Sequence, residues 1–192
     1  MARVPKTSLL YGVSGKLGPF VLRQVGGQTV VQAAEGPGRR APRSPAQQAH
    51  LDRMYQAQLY AKAQIRDPTA KARYATRIDQ RCRSAYAVAI ADYMYAPRVT
   101  AIDGRDYQGR PGDLIRVVAT DDFAVVAVQV GLYDPAGELL EGGPAVLLPT
   151  GEWGYLVRRN APVGLDIRIE AEARDNPGNV GRLELVLGPR SR

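Results

Sequence analysis

The sequence predicts an α+β chain with three parts: an N-terminal β-hairpin arm and basic linker (1–43), a helical pair (44–96) and a C-terminal antiparallel β-sandwich (97–192). Two observations indicate this organisation. Short runs of β-branched and aromatic residues recur at roughly 8 to 12 residue spacing after Pro97, which is typical of a sandwich. Before Pro97, two helix-start signals precede runs with helical spacing of apolar residues.

The N-terminal arm has the pattern of a β-hairpin. Two apolar runs, 17–25 and 28–34, are separated by Gly26-Gly27, which suits a tight turn. An isolated two-stranded hairpin is marginal in water, so the arm must pack on its own sandwich or on another subunit. We expect an assembly contact through its apolar side chains, which are Leu17, Phe20, Leu22, Val25, Val30 and Val31.

Residues 35–43 form a basic linker, because Gly, Pro and like charges together disfavour helix and sheet. We interpret it as a solvated connector or as a contact to an acidic protein surface, and a contact to a nucleic-acid phosphate backbone is the alternative. We expect charge contacts that set the orientation of assembly. The basic residues are Arg23, Arg39, Arg40 and Arg43, and the acidic candidates are Asp121, Asp122, Glu138 and Glu141.

Two helices are predicted between the linker and Pro97. Ser44-Pro45 and Asp67-Pro68 each supply an N-cap residue followed by proline at the first helical position. Apolar spacing then predicts one helix to about residue 66 and a second to about residue 95, packed as an antiparallel or angled pair. Tyrosines interleaved with Lys and Arg on these helices are typical of amphipathic rims, and a nucleic-acid surface is the alternative.

The sandwich is predicted to contain seven strands, near 98–102, 114–119, 125–133, 144–148, 153–158, 165–173 and 182–187. Trp153 and Tyr155 lie on one of them. We expect one of these rings in the core between the sheets and the other at the surface. Exposure of both rings together would instead indicate carbohydrate binding.

Two short motifs connect the sandwich to a known family. Ala119-Thr120-Asp121 and Ala173-Arg174-Asp175, each at the end of a predicted strand, resemble the paired A-x-D signatures of bacterial immunoglobulin-like domains. The resemblance covers about the last half of the chain. It implies an immunoglobulin-like sandwich in which each motif closes one strand, and it implies no activity.

The whole chain also resembles uncharacterised bacterial proteins, mostly from bacteroidetes. Those proteins join a Gly-Lys-hydrophobic-Gly segment, a helical middle and an immunoglobulin-like sandwich. The matching residues here are Ser14-Gly15-Lys16-Leu17-Gly18-Pro19 and the stretch 84–93 with Ala96-Pro97. This likeness supports the order of the three parts and implies no mechanism.

Charge is distributed unevenly along the chain. Residues 1–97 carry 15 Lys and Arg against 5 Asp and Glu, whereas residues 98–192 carry 11 against 14. A basic front half of net charge +10 is therefore joined to a weakly acidic back half of net charge −3. Such a chain has its own complementary surfaces, in addition to any affinity for nucleic acid.

No catalytic constellation is visible. The single cysteine, Cys82, and the single histidine, His50, exclude an internal disulfide and metal sites built from several cysteines or histidines. Acidic residues near strand ends would suit calcium, but without a calcium-binding loop motif we interpret them as turn formers. We expect a protein that is not an enzyme and has no cofactor.

The sequence shows neither a secretory signal nor a membrane span. Residues 1–12 lack the apolar core of a signal peptide, and no run approaches the ~18 apolar residues of a spanning helix. The default expectation is a soluble protein of the cytoplasm, with an extracellular filament or a virion left open.

These features predict a non-enzymatic structural subunit that self-assembles into a filament, appendage or shell. The arm would add as a strand to a sheet edge of a neighbouring subunit, a head-to-tail contact that propagates. Two alternatives remain open: a basic nucleic-acid-associated protein, and an adhesive or carbohydrate-binding immunoglobulin-like module.

Overall fold

The computed structural model describes residues 2–34, 42–162 and 164–189. It divides the chain into two compact units, Met1–Ser44 and Pro45–Arg192. Arg39 and Arg40, two of the predicted charge contacts, lie outside the described residues.

The first unit is a four-stranded antiparallel sheet with the order β1-β4-β3-β2. Its strands are β1 (Ala2–Arg3), β2 (Gly15–Leu17), β3 (Phe20–Val25) and β4 (Gln28–Ala33). The predicted hairpin is confirmed, because β3 and β4 pair along their whole length. Gly26 and Gly27 have φ angles of 57° and 76°, and two positive φ values are what a two-residue type I′ turn requires.

The prediction of one strand over residues 17–25 is wrong, because this segment contains the end of β2 and the whole of β3. Leu17 pairs with Phe20 across a second two-residue turn, in which Gly18 has a φ of 56°. Glycine allows this left-handed conformation, and Pro19 has no N–H with which to continue a ladder. The hairpin is therefore the centre of a small sheet and is not isolated.

The helical segment contains three helices, so the predicted pair is wrong. They are α1 (Pro45–Arg66), α2 (Pro68–Ala75) and α3 (Ala85–Met94), and α3 packs against both of the others. The start and end of α1 are as predicted. The predicted second helix is interrupted between residues 75 and 85.

Local side-chain hydrogen bonds explain the interruption. The Asp79 carboxylate accepts the main-chain N–H groups of Arg81 at 2.8 Å and Cys82 at 2.6 Å. Ser84 then begins α3 by accepting the N–H of Ala87 at 3.2 Å. Because these side chains satisfy backbone donors outside a helix, they favour a turn at this position.

The remaining strands form two four-stranded antiparallel sheets, β5-β6-β10-β9 and β12-β11-β7-β8. Their bounds are β5 (Arg98–Asp103), β6 (Leu114–Thr120), β7 (Val125–Tyr133), β8 (Leu139–Pro144), β9 (Val146–Leu147), β10 (Trp153–Leu156), β11 (Ile167–Asp175) and β12 (Val180–Leu187). Apolar side chains of both sheets, among them Ile115, Val117, Val130 and Ile169, form one buried core. The α+β class and the antiparallel sandwich are confirmed.

The helices and the sandwich belong to the same compact unit. A second buried cluster contains Ala61, Tyr74 and Ala89 of the helices together with Phe123, which lies between β6 and β7. The ring centres of Tyr74 and Phe123 are 4.4 Å apart. Phe123 therefore inserts from the sandwich into the helical core.

Candidate functional site

The Asn179 side chain joins the last hairpin of the sandwich to the C-terminal end of α3. Its Nδ2 donates to the main-chain oxygens of Asp92 at 3.2 Å, Tyr93 at 3.1 Å and Tyr95 at 3.5 Å, and to Asp175 Oδ2 at 2.7 Å. The last carbonyls of a helix have no partner within the helix. Asn179 therefore caps the C-terminal end of α3, although it lies more than eighty residues later in the sequence.

Asp92 is fully buried beside this cap. Tyr74 Oη donates to Asp92 Oδ2 at 2.6 Å, and Tyr60 Oη lies 2.8 Å from Tyr74 Oη. Burial raises the pKa of the Asp92 carboxyl to about 7, the charges of Asp121 and Asp175 act in the same direction, and the Tyr74 hydrogen bond opposes them. Burial likewise raises the pKa of Tyr74. Asp92 Oδ1 has no hydrogen-bond partner among the described residues.

The two A-x-D motifs close strands at the same junction. Asp121 follows β6, and its Oδ2 accepts the N–H groups of Phe123 at 3.0 Å and Ala124 at 2.9 Å. Asp175 ends β11, and its Oδ1 accepts the N–H groups of Gly178 at 2.8 Å and Asn179 at 2.6 Å. Each carboxylate thus forms a local turn, which is the role that the resemblance implies for the motif.

Two cavities at the junction share Arg81 and Asp122 in their walls. The larger is a cleft of about 630 Å³, and the smaller has a volume of about 130 Å³. The cleft is lined by Arg53, Arg81, Met94, Tyr95, Ala96, Pro97, Arg98, Thr120, Asp121 and Asp122. The smaller cavity is lined by Arg77, Asp79, Arg81, Cys82, Val88, Ala91, Asp92, Asp122 and Phe123.

Three arginines line the cleft together with Asp121 and Asp122. Within residues 2–34, 42–162 and 164–189, Arg53, Arg81 and Arg98 form no ion pair, although other arginines of the sandwich do. The Arg81 guanidinium lies 5.4 Å from the ring centre of Tyr95, which is a cation–π distance. The described residues contain no group of three side chains placed to hold a metal ion. The arrangement is suited to binding an anionic group.

The predicted assembly residues lie on both faces of the N-terminal sheet. Paired residues share a face and neighbours along a strand alternate, so Leu17, Phe20, Leu22 and Val31 lie on one face. The other two, Val25 and Val30, lie on the opposite face. The exposed fractions are 58% for Leu17, 47% for Phe20 and 60% for Val25, whereas Val30 and Val31 are half-buried.

Leu22 is 3% exposed and therefore does not offer the contact surface that was predicted. The unit covers this end of the face with its own chain around residues 11–13. Gly12 donates its N–H to Thr29 Oγ1 at 2.8 Å, and Gln24 Nε2 donates to the same oxygen at 2.8 Å and to the Val13 carbonyl at 3.1 Å. Leu17 and Phe20, at the other end of the face, stay exposed.

The predicted acidic contacts do not form one surface. Asp121 and Asp122 precede β7, whereas Glu138 and Glu141 follow it, and the nine residues of β7 span roughly 30 Å at about 3.3 Å per residue. Glu141 is already used, because its carboxylate accepts the N–H groups of Arg158 at 3.2 Å and Arg159 at 2.8 Å. Asp122 and Glu138 are exposed, as are Arg23 and Arg43 of the first unit.

Trp153 and Tyr155 both face the core, so the expectation that one lies at the surface is wrong. Residues two apart on a strand point to the same face. Tyr155 is 1% exposed, and Trp153 is partly buried against the same cluster. These two rings therefore do not form an exposed aromatic pair of the kind that carbohydrate binding would need.

Asp92 and Asn179 were missed as functional residues by sequence reasoning. A signal for Asp92 was present, because it is the one charged residue within the otherwise apolar helix Ala85–Met94. A charged side chain at such a position is buried with a hydrogen-bond partner or lines a site. No sequence pattern connected Asn179 with a helix end so distant along the chain.

No helix within the described residues is both long and apolar enough to cross a membrane.

Comparison with known proteins finds no matching family model and no matching curated protein sequence. Among solved structures, the chain is similar to a β-glucuronidase from Bifidobacterium dentium, with 15% identity, a TM-score of 0.34 and coverage of 50% of this chain and 17% of the enzyme. It is similar to a tetra-tandem repeat from the extending region of a large adhesion protein, with 22% identity, a TM-score of 0.35 and coverage of 50% and 24%.

A third similar structure is a conjugative transposon lipoprotein from Bacteroides eggerthii, with 13% identity, a TM-score of 0.26 and coverage of 48% of this chain and 94% of the lipoprotein. The chain spans less than a quarter of each of the first two proteins. At TM-scores below 0.5, these likenesses carry no argument about function. The chain is of the α+β class, and the two antiparallel sheets of its second unit form a β-sandwich.

Proposed function

We propose that the chain is a non-enzymatic structural subunit that self-associates through its N-terminal sheet. The observation that carries this proposal is the poor core of the first unit. Leu22 and Thr29 are its buried side chains in the described part of the chain. Its exposed large apolar residues are Leu9 (99%), Leu10 (39%), Val13 (46%), Leu17 (58%), Phe20 (47%) and Val25 (60%). A unit of this size with so little buried apolar surface needs further burial to be stable.

The exposed end of the sheet is the favoured contact. Leu17 and Phe20 lie side by side on one face, and β2, which carries Leu17, is an outer strand with one unpaired edge. Extended backbone adds readily to such an edge, with main-chain hydrogen bonds giving affinity and alternate side chains giving register. Apolar burial of these side chains would stabilise the contact.

We place the partner surface on the sandwich of a second copy. Its outer strand β9 carries Val146 and Leu147, which are 68% and 57% exposed. Residues 1–44 carry 7 Lys and Arg against 1 Glu, a net charge of +6, whereas residues 98–192 carry 11 against 14, a net charge of −3, and these unlike charges favour a contact between the N-terminal sheet and a sandwich. A contact between two different surfaces is head-to-tail, so it propagates into a filament unless rotation closes a ring.

Sedimentation velocity over a range of protein concentrations tests this proposal. We expect the wild-type chain to form oligomers and Phe20→Asp to shift it to monomer, because a charge would be buried in the contact. Val25→Asp is the control and should retain the oligomer, since Val25 is also exposed, at 60% against 47% for Phe20, but lies on the opposite face. A wild-type chain that is monomeric at high concentration would contradict the proposal.

We also propose that the sandwich is an immunoglobulin-like domain. Two supports are the facing four-stranded sheets and the strand-closing turns of Asp121 and Asp175. An experimental structure with a different strand order from β5-β6-β10-β9 and β12-β11-β7-β8 would argue against it.

A further inference from the structure

Two buried carboxylate oxygens at the helix–sandwich junction lack hydrogen-bond partners among the described residues: Asp92 Oδ1 and Asp121 Oδ1. Asp92 is 0% exposed and lines the smaller cavity, and Asp121 lines the cleft. Buried polar atoms in folded proteins are nearly always hydrogen-bonded, to the protein or to something bound in it. The Asp121 oxygen therefore leaves an acceptor at the wall of the cleft that a donor from outside the chain could use.

The cleft also has a positively charged wall. Arg53 comes from α1, Arg81 from the turn before α3 and Arg98 from β5, so three separate elements bring guanidinium groups to one cleft. None of the three is engaged by an acid within the described residues. The planar fork of arginine matches the two oxygens of a carboxylate or phosphate group.

The dimensions favour a small molecule over a macromolecule. The cleft volume of about 630 Å³ lies within the range of small-molecule sites. Its lining combines the carboxylates of Asp121 and Asp122 with Tyr95, which is 49% exposed. Asp121 and Asp122 would repel a bare anion, so a ligand that carries donors as well as a negative group fits better.

We propose that this cleft binds a small organic oxyanion. Its phosphate or carboxylate group would be bound by Arg53, Arg81 and Arg98, and its hydroxyl or amino groups would donate to Asp121 Oδ1, which lines the same cleft. This site is independent of the contact through Leu17 and Phe20, which lies in the other unit.

Protein-detected NMR titration of the full chain tests this proposal with three probes: inorganic phosphate, glucose and glucose 6-phosphate. Phosphate carries the anionic group alone, glucose carries the donors alone, and glucose 6-phosphate carries both. We expect glucose 6-phosphate to bind about tenfold more tightly than either of the others, because each charged hydrogen bond contributes on that scale. Shifted amides should cluster around Tyr95 and Thr120.

Variants separate the two halves of the site. Arg53→Ala and Arg98→Ala should each weaken glucose 6-phosphate and phosphate about tenfold, whereas Arg66→Ala, an exposed arginine at the other end of the same helix as Arg53, should leave both unchanged. Asp121→Asn should weaken glucose 6-phosphate without affecting phosphate. Absence of shifts with all three probes, or binding that is insensitive to Arg53→Ala and Arg98→Ala, would overturn the proposal.

Discussion

At the scale of single residues, Asp92 links the protonation of the protein to its stability. Its pKa in the folded chain is raised to about 7 from an ordinary value of 3.8, so the folded state binds this proton more tightly than the unfolded state. The stabilisation is complete below about pH 4 and is lost as the pH rises through about 7. The change over that interval is on the order of 4 kcal/mol for this one group.

We therefore predict that the melting temperature falls between pH 5 and pH 8 and that Asp92→Asn makes this fall smaller. Asparagine keeps an oxygen that accepts the Tyr74 hydroxyl, so the variant removes the titration and keeps the hydrogen bond. Thermal unfolding followed by circular dichroism at each pH measures the effect. Burial also raises the pKa of the Asp175 carboxyl. Because Asp175 is present in both the wild-type protein and Asp92→Asn, the difference between their pH profiles reports the titration of Asp92 alone. Identical pH dependence in both chains would contradict the prediction.

Asn179 is the second residue whose replacement should have a large effect. Asn179→Ala removes the side-chain donor of the carbonyl oxygens at the end of α3 and of Asp175 Oδ2. Each buried group left unpaired costs about 1 to 3 kcal/mol, so we predict a loss of about 2 to 4 kcal/mol in the free energy of unfolding. Urea unfolding measures it. Asn176→Ala, in the same turn, is the control and should change stability by less than about 0.5 kcal/mol.

At the scale of elements, the close approach of β12 to the start of β5 depends on the absence of a side chain at Gly181. A Cβ at this position would overlap the main-chain carbonyl oxygen of Pro97. Because backbone cannot move aside as a side chain does, Gly181→Ala should destabilise the sandwich by about 2 kcal/mol or more. Gly188→Ala is the control, since a Cβ there meets nothing. Equal melting temperatures for the two variants would show that β5 and β12 are not held together here.

Elements with strong local signals could be predicted from the sequence. The bounds of α1 follow from Ser44-Pro45 and Asp67-Pro68, the hairpin turn from Gly26-Gly27, and β7 was predicted residue for residue. The break between α2 and α3 was missed because helical spacing of apolar residues continues through it. Its cause is the competition of Asp79 and Ser84 for backbone donors, which apolar spacing does not report.

Strand β8 and the junction were missed for different physical reasons. The β8 sequence, Leu-Leu-Glu-Gly-Gly-Pro, lacks β-branched residues and is held as a strand by its pairing with β7. The cleft depends on tertiary contacts, since Arg53, Arg81 and Arg98 are far apart in sequence and meet only after the helices pack on the sandwich. Burial of Leu22 likewise depends on how residues 11–13 cross the sheet.

At the scale of the whole molecule, the division into two compact units predicts that the second unit folds without the first. Deleting residues 1–34 should leave a soluble, folded chain with an unchanged melting temperature, because the core and junction contacts of the second unit involve residues beyond 45. The truncated chain should no longer form oligomers. Sedimentation velocity and thermal unfolding measure the two outcomes. If the truncated chain forms the same oligomer, the N-terminal sheet is not the assembly element.

The cap that Asn179 places on α3 also sets a time order for the synthesis of the protein. The asparagine follows Asp92 by 87 residues, and a ribosome adds about 5 to 20 residues per second. The end of α3 therefore emerges roughly 4 to 17 s before the side chain that completes it. Throughout that interval the main-chain carbonyls of Asp92 and Tyr93 lack this side-chain donor. The helices reach their final state only when the last hairpin of the chain is made.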